Sequence, residues 1–221
     1  MTHTITGTRP PPATRPTARL LLVGGIAAGP LFLGAGLIQG LTRDGFDFTR
    51  NAISQLSLGD LGWIQMTSFL LTGALAIVGA IGIRRTLHGR PGGTWAPRLV
   101  AVFGISFLAN AMFNADPGAG FPAGAPAGPA AALSTTGAVH LLSAAIGFLA
   151  LCTAFVVLAR HFAAQGRRGW AVLSRLVPVG VLAGFAGSSA TVMAFTAGAA
   201  LGLVWLSVTA IQLITEPPVG Q

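Results

Sequence analysis

The sequence predicts an all-α polytopic membrane protein, a bundle of six transmembrane helices with both termini cytoplasmic. Three observations carry that prediction. Only 8% of the 221 residues are charged and 52% are hydrophobic, with a mean hydropathy of +0.73, whereas a soluble domain is about 25% charged. Apolar runs recur at the length of about 20 residues that crosses about 30 Å of hydrocarbon. The 13 basic residues are all arginine, and they cluster in alternate loops, the bias that orients helices in a membrane. Disorder is excluded because a disordered chain is poor in apolar residues, and a disulfide scaffold because Cys152 stands alone. A net charge of +8 and a pI near 11.9 suggest nucleic acid, but that partner needs charge gathered on one soluble face. The expected partner is the lipid bilayer.

Residues 1–19, with Pro10, Pro11, Pro12 and Pro16 among threonines and arginines, have the composition of a mobile tail. The first span, about 20–41, exceeds the 7–15 apolar residues of a signal peptide and reads as a retained helix. Its Gly25 with Gly29, and Gly36 with Gly40, have the spacing that lets a neighbouring backbone approach. A polar stretch from Thr42 to Gly62 leads to the second span, about 63–83, with Trp63 at an interface position and Arg84 and Arg85 at its end. The third span, about 97–115, carries Pro97 in its first turn, where a missing N–H costs nothing. Asp116 to Pro129 is proline- and glycine-rich and reads as a loop. The fourth span is about 134–159. From Trp170 to Ile214 the chain is almost continuously apolar, too long for one helix at about 1.5 Å per residue. Two spans share it, about 171–194 and 198–214, with the reversal expected between Phe195 and Gly198. Residues 216–221 form a short second tail.

Six spans place Arg9, Arg15, Arg19, Arg84, Arg85, Arg90, Arg98, Arg160, Arg167, Arg168 and Arg175 on one side and only Arg43 and Arg50 on the other. The arginine-rich side is expected to be the cytoplasm and the membrane the plasma (inner) membrane. Asp44, Asp47, Asp60 and Asp116 then fall outside, and Glu216 inside.

His140 is the histidine that this reading puts within an apolar span, roughly two turns from the outer end. His161 is placed in a cytoplasmic loop. An ionisable group in a bilayer faces the bundle interior or a cavity, so His140 is a candidate general base, proton carrier or metal ligand, or a histidine that bonds a neighbouring helix. Asp60 is a candidate acid or ligand, or the N-cap of the second helix. Asp116 sits in Asp-Pro-Gly, a turn sequence in its own right. His140, Asp116 and Asp60 are thus the candidate chemical groups of an outer pocket, with Ser54, Ser57, Trp63 and Asn114 as candidate contacts to a bound molecule. Asn110 and Asn114 share a helix face and also suit interhelical hydrogen bonds. One histidine and two aspartates fall short of the closely spaced sets typical of zinc. No H-E-x-x-H, Walker lysine or G-x-G-x-x-G occurs, so neither metal nor cofactor is expected.

The string Asn51-Ala-Ile-Ser-Gln-Leu-Ser-Leu-Gly-Asp60-Leu-Gly-Trp63-Ile-Gln65, then Asp116-Pro117, Phe121-Pro122-Ala-Gly124, Gly137-Ala-Val-His140 and Phe148, resembles a bacterial integral-membrane family common in actinobacteria, domain of unknown function 998. That resemblance implies a six-helix membrane protein. The matched motif residues are Ser54, Ser57, Asp60, Trp63, Asp116 and His140. Three functions stay open: an outer pocket that binds or processes a lipid head group or small solute, a non-enzymatic membrane subunit joined to a partner through small residues, and a proton-coupled transporter of small solutes.

Overall fold

Helices form here along the long apolar runs, and the polar, proline- and glycine-rich stretches between the runs become the turns. The computed structural model describes residues 14–128 and 132–216. It contains α1 (Thr14–Thr42), α2 (Gly62–Thr86), α3 (Trp95–Met112), α4 (Thr135–Ala164), α5 (Arg168–Ala186) and α6 (Val192–Ile214), with short 3₁₀ turns at Ile53–Ser57 and Gly187–Ser189. All six helices are long and apolar enough to cross a membrane. Among the described residues there is no strand. The protein is therefore an all-helical, multi-pass membrane protein.

Several boundaries differ from the expectation, each for a local reason. α1 starts at Thr14, inside the expected tail, because Pro16 suits a first helical turn; the expectations for residues 1–13 and 217–221 lie outside the described residues. α3 stops at Met112 because Phe113 turns extended (φ −116°, ψ 105°). α4 continues through Ala164, so His161 belongs to its last turn and not to a loop. The reversal between the last two helices lies at residues 187–191 instead of Phe195–Gly198. Thr191 begins α6 by accepting a hydrogen bond from the Met193 amide at 3.3 Å. Gly198 is a contact residue: a Cβ there would lie 2.9 Å from the Val181 carbonyl of α5.

Each helix packs against the next in sequence, and α6 returns to α1, closing a ring. The seams on both sides of α1 depend on absent side chains. A Cβ at Gly79 would sit 2.6 Å from the Gly25 nitrogen, and one at Gly29 would sit 2.6 Å from the Leu203 carbonyl. Ser207 Oγ donates to the Ile26 carbonyl across the second seam at 2.8 Å. Between helices in lipid such close packing replaces the hydrophobic effect as the cohesive force. Gly36 and Gly40 face Ile53 and Phe48, so the second glycine pair seats the following loop.

Inside the ring, Phe32, Phe69, Phe107, Phe103 and Phe148 form a continuous series of tilted and edge contacts at 4.7–5.5 Å, each such pair worth about 0.5–1.5 kcal/mol beyond its buried area. The two ends of the bundle differ in charge. One, the basic end, carries the α2–α3 and α4–α5 connections with Arg84, Arg85, Arg90, Arg167 and Arg168. The other, the acidic end, carries the α1–α2 and α3–α4 connections with Asp44, Asp47, Asp60 and Asp116.

Candidate functional site

At the acidic end two long connections are laced together. Asn51 Nδ2 donates to the carbonyls of Gly118 and Ala119, both at 3.4 Å, and Gln55 Nε2 to those of Asp116 and Gly118, both at 3.3 Å. Arg43 donates to the Leu56 and Leu58 carbonyls at 2.5 and 2.6 Å, and its guanidinium lies 4.9 Å from the centre of the Phe121 ring. Burial lowers the Arg43 pKa from its ordinary value, with the Asp60 carboxylate opposing the shift. At Asp47, bonds from the Thr49 hydroxyl and amide, aided by Arg50, hold the pKa below the usual carboxylate value. The polar string before α2 is therefore mainly a loop fastener, and loop carbonyls as its partners leave no mark in the residue pattern.

The start of α4 explains Asp116. Ser134, the N-cap, accepts from the Gly137 amide at 3.0 Å, while the Asp116 carboxylate accepts from the Ser134 amide at 2.9 Å and hydroxyl at 2.5 Å. Gly137 leaves room for that carboxylate, which a Cβ would overlap. Asp60 is exposed and does not cap α2: the N-cap is Leu61, with no side-chain bond. There the chain enters the helix through backbone bonds, Gly62 N to Gly59 O at 2.9 Å and Ile64 N to Leu61 O at 3.1 Å.

His140 is buried at 3% exposure, and its Nδ1 lies 2.8 Å from the carbonyl of Phe113, the C-cap of α3. A carbonyl can only accept, so Nδ1 carries the proton and satisfies a helix-end carbonyl that would otherwise lack a partner. Phe69 meets the imidazole edge-on at 5.9 Å. One turn further, the Ser143 hydroxyl shares its one proton between Asn110 Oδ1 of α3 and the His140 carbonyl at 2.9 Å.

His140 and Asn110 line a cavity of about 280 Å³ bounded by α1, α2, α3, α4, α6 and both 3₁₀ turns. Its surface is mostly aromatic and aliphatic, from Phe32, Phe69, Phe107, Phe148 and Phe195 among others; Ser54, Ser188 and Thr196 add hydroxyls. Leu141 of α4 also lines it and is half exposed.

Of the sequence candidates, His140 and Ser54 line this cavity. Asp116 and Asp60 are not among the lining residues. Ser57 is buried and donates to the Ser54 carbonyl at 2.8 Å. Trp63 is 62% exposed on the first turn of α2. Asn114 keeps a buried Oδ1 with no partner among the described residues. Asn110, read as a helix-joining residue, is both that and a wall of the cavity. The phenylalanine lining had no motif to mark it.

A second polar group closes the basic end. Buried Glu216 Oε1 accepts from His161 Nε2 at 2.9 Å and from Arg167 at 3.4 Å, and Arg90 lies 3.6 Å from Oε2. Arg167 also bonds Gln212 and lies over the rings of Phe162 and Trp170. These contacts tie the end of α6 to both connections at that end.

Fold and site together define a multi-pass membrane bundle with a lined cavity near one end. The family described as "Protein of unknown function (DUF998)" matches residues 26–215, and the chain belongs to that family. No curated protein and no solved structure matches it.

Proposed function

We propose that this protein binds a membrane-dissolved amphiphile of small size in the cavity beside His140. The observation that carries this reading is the cavity itself, about 280 Å³ with mostly apolar walls and a polar patch from Asn110, His140 and Ser54. Sites for small organic molecules have this character, a greasy enclosure with a few fixed polar groups. An apolar cavity of about 150 Å³ accommodates benzene, so this one suits about a dozen non-hydrogen atoms. Half-exposed Leu141 in the wall supports entry from the lipid phase beside α4.

The subunit reading needs small residues free to meet a partner. The glycines at α1–α2, α1–α6 and α5–α6 are used in packing within the chain, which removes most of its support.

Native mass spectrometry or extraction of the purified protein should show a co-purifying amphiphile. Ala144 and Ala199 line the cavity. Ala144→Trp or Ala199→Phe, which fill it, should remove that species with helical content unchanged. A co-purifying amphiphile that persists in both filled variants would refute the reading.

A further inference from the structure

We infer that the cavity selects an uncharged, hydroxyl-bearing chain over both a bare hydrocarbon and an anionic head group. This specificity rests on the amphiphile-binding reading above and adds the chemistry of the head group.

His140 donates from Nδ1 to the Phe113 carbonyl, so in the neutral ring Nε2 keeps its lone pair and can only accept. Asn110 Oδ1 faces the Ser143 hydroxyl, whose one proton is shared with the His140 carbonyl at 2.9 Å, and this leaves the Asn110 Nδ2 amide, able only to donate. Neither Nε2 nor Nδ2 holds a hydrogen bond among the described residues, and both side chains are buried, at 3% exposure each, in the cavity wall. Beside the hydroxyls of Ser54, Ser188 and Thr196, which can donate or accept, the wall therefore offers one group that only accepts, on His140, and one that only donates, on Asn110.

A hydroxyl is the simplest group that satisfies both at once, donating to His140 and accepting from Asn110. An alkane leaves both unsatisfied. A carboxylate or a dianionic phosphate can accept from Asn110 but has no proton for His140, and a monoanionic phosphate that keeps one proton still brings a full charge into the cavity. The lining contains no arginine, lysine, aspartate or glutamate, so with His140 neutral a charged head would be stripped of water without a counter-ion. The Nδ1 bond to Phe113 at 2.8 Å holds the ring, with Phe69 edge-on beside it, so turning the acceptor away breaks that bond.

The test compares three labelled probes of equal chain length, decan-1-ol, decane and decyl phosphate. Binding to the full-length protein is measured by equilibrium partition in a sterol-based detergent too bulky for the cavity, each probe corrected for its own partition into micelles. Decan-1-ol should bind about tenfold more tightly than decane, the expectation for two modest hydrogen bonds, and decyl phosphate more weakly than either. In His140→Phe, and separately in Asn110→Leu, the alcohol-to-alkane ratio should fall to about two or less, while Asp60→Asn, outside the cavity, keeps the native ratio. Equal binding of all three probes, phosphate equal to or above alcohol, or a native ratio in both cavity variants would each overturn the specificity and leave the binding reading standing. Failure of every probe to bind would overturn both. If His140→Phe does not fold, the native probe series and Asn110→Leu decide the matter.

Discussion

Asp116 and Asp60 are both carboxylates at the mouth of a helix, and their surroundings give them different parts. Asp116 takes two bonds from Ser134, which itself caps α4; Asp60 is exposed beside Arg43 and makes neither a cap nor a cavity wall. Asp116→Ala should therefore cost about 1–2 kcal/mol, the loss of a capping arrangement, read as a lower midpoint of thermal unfolding in detergent. Asp60→Ala should stay within about 0.5 kcal/mol. If Asp116→Ala leaves the midpoint unchanged, its bonds are not structural and it returns to the candidates for chemistry. The residue types were legible in the sequence. The distinction was not, because it depends on Ser134 being folded back onto residue 116.

Helix number and order could be read from apolar run length, since a bilayer admits few other uses for such runs. The last reversal could not. Thr196 and Gly198 have turn chemistry, but so does Gly187-Ser-Ser, and tertiary contact decides between them: Gly184 and Gly198 bring α5 and α6 together, and a Cβ at either would lie under 3.0 Å from the opposing backbone. Phe195 and Thr196 are consequently helical and line the cavity. Gly198→Val should cost about 2 kcal/mol, typical of overpacking against a backbone that cannot retreat, whereas Ser189→Ala in the observed turn should be neutral. Thermal unfolding of the two variants checks this, and a tolerated Gly198→Val would contradict the tight α5–α6 seam. His161 escaped the sequence reading for a related reason. The apolar run ends at Ala159, yet α4 continues because Glu216, 55 residues later, supplies a buried partner at 2.9 Å.

The whole molecule is electrically polarised along its axis, and the pairing of charges sharpens the orientation that arginine counting predicts. The two arginines at the acidic end are both held locally: Arg50 lies 3.0 Å from Asp47, and Arg43 is fixed by the Leu56 and Leu58 carbonyls beside Asp60. At the basic end, Glu216 meets Arg90 and Arg167, while Arg84, Arg85, Arg98, Arg160 and Arg168 make no ion pair among the described residues, so most of that positive charge is uncompensated. Unbalanced arginine in short loops is what is retained in the cytoplasm during insertion, so the acidic end and its cavity are expected to face outward. The native cysteine, Cys152, is buried and can be replaced by alanine to give a clean background. In intact cells a membrane-impermeant maleimide should then label Ala123→Cys, exposed on the α3–α4 loop, and leave His88→Cys, exposed beyond α2, unlabelled until the membrane is permeabilised. The reverse pattern would put the cavity on the cytoplasmic side and make the seven unpaired or partly paired arginines an orientation signal that the insertion machinery ignores.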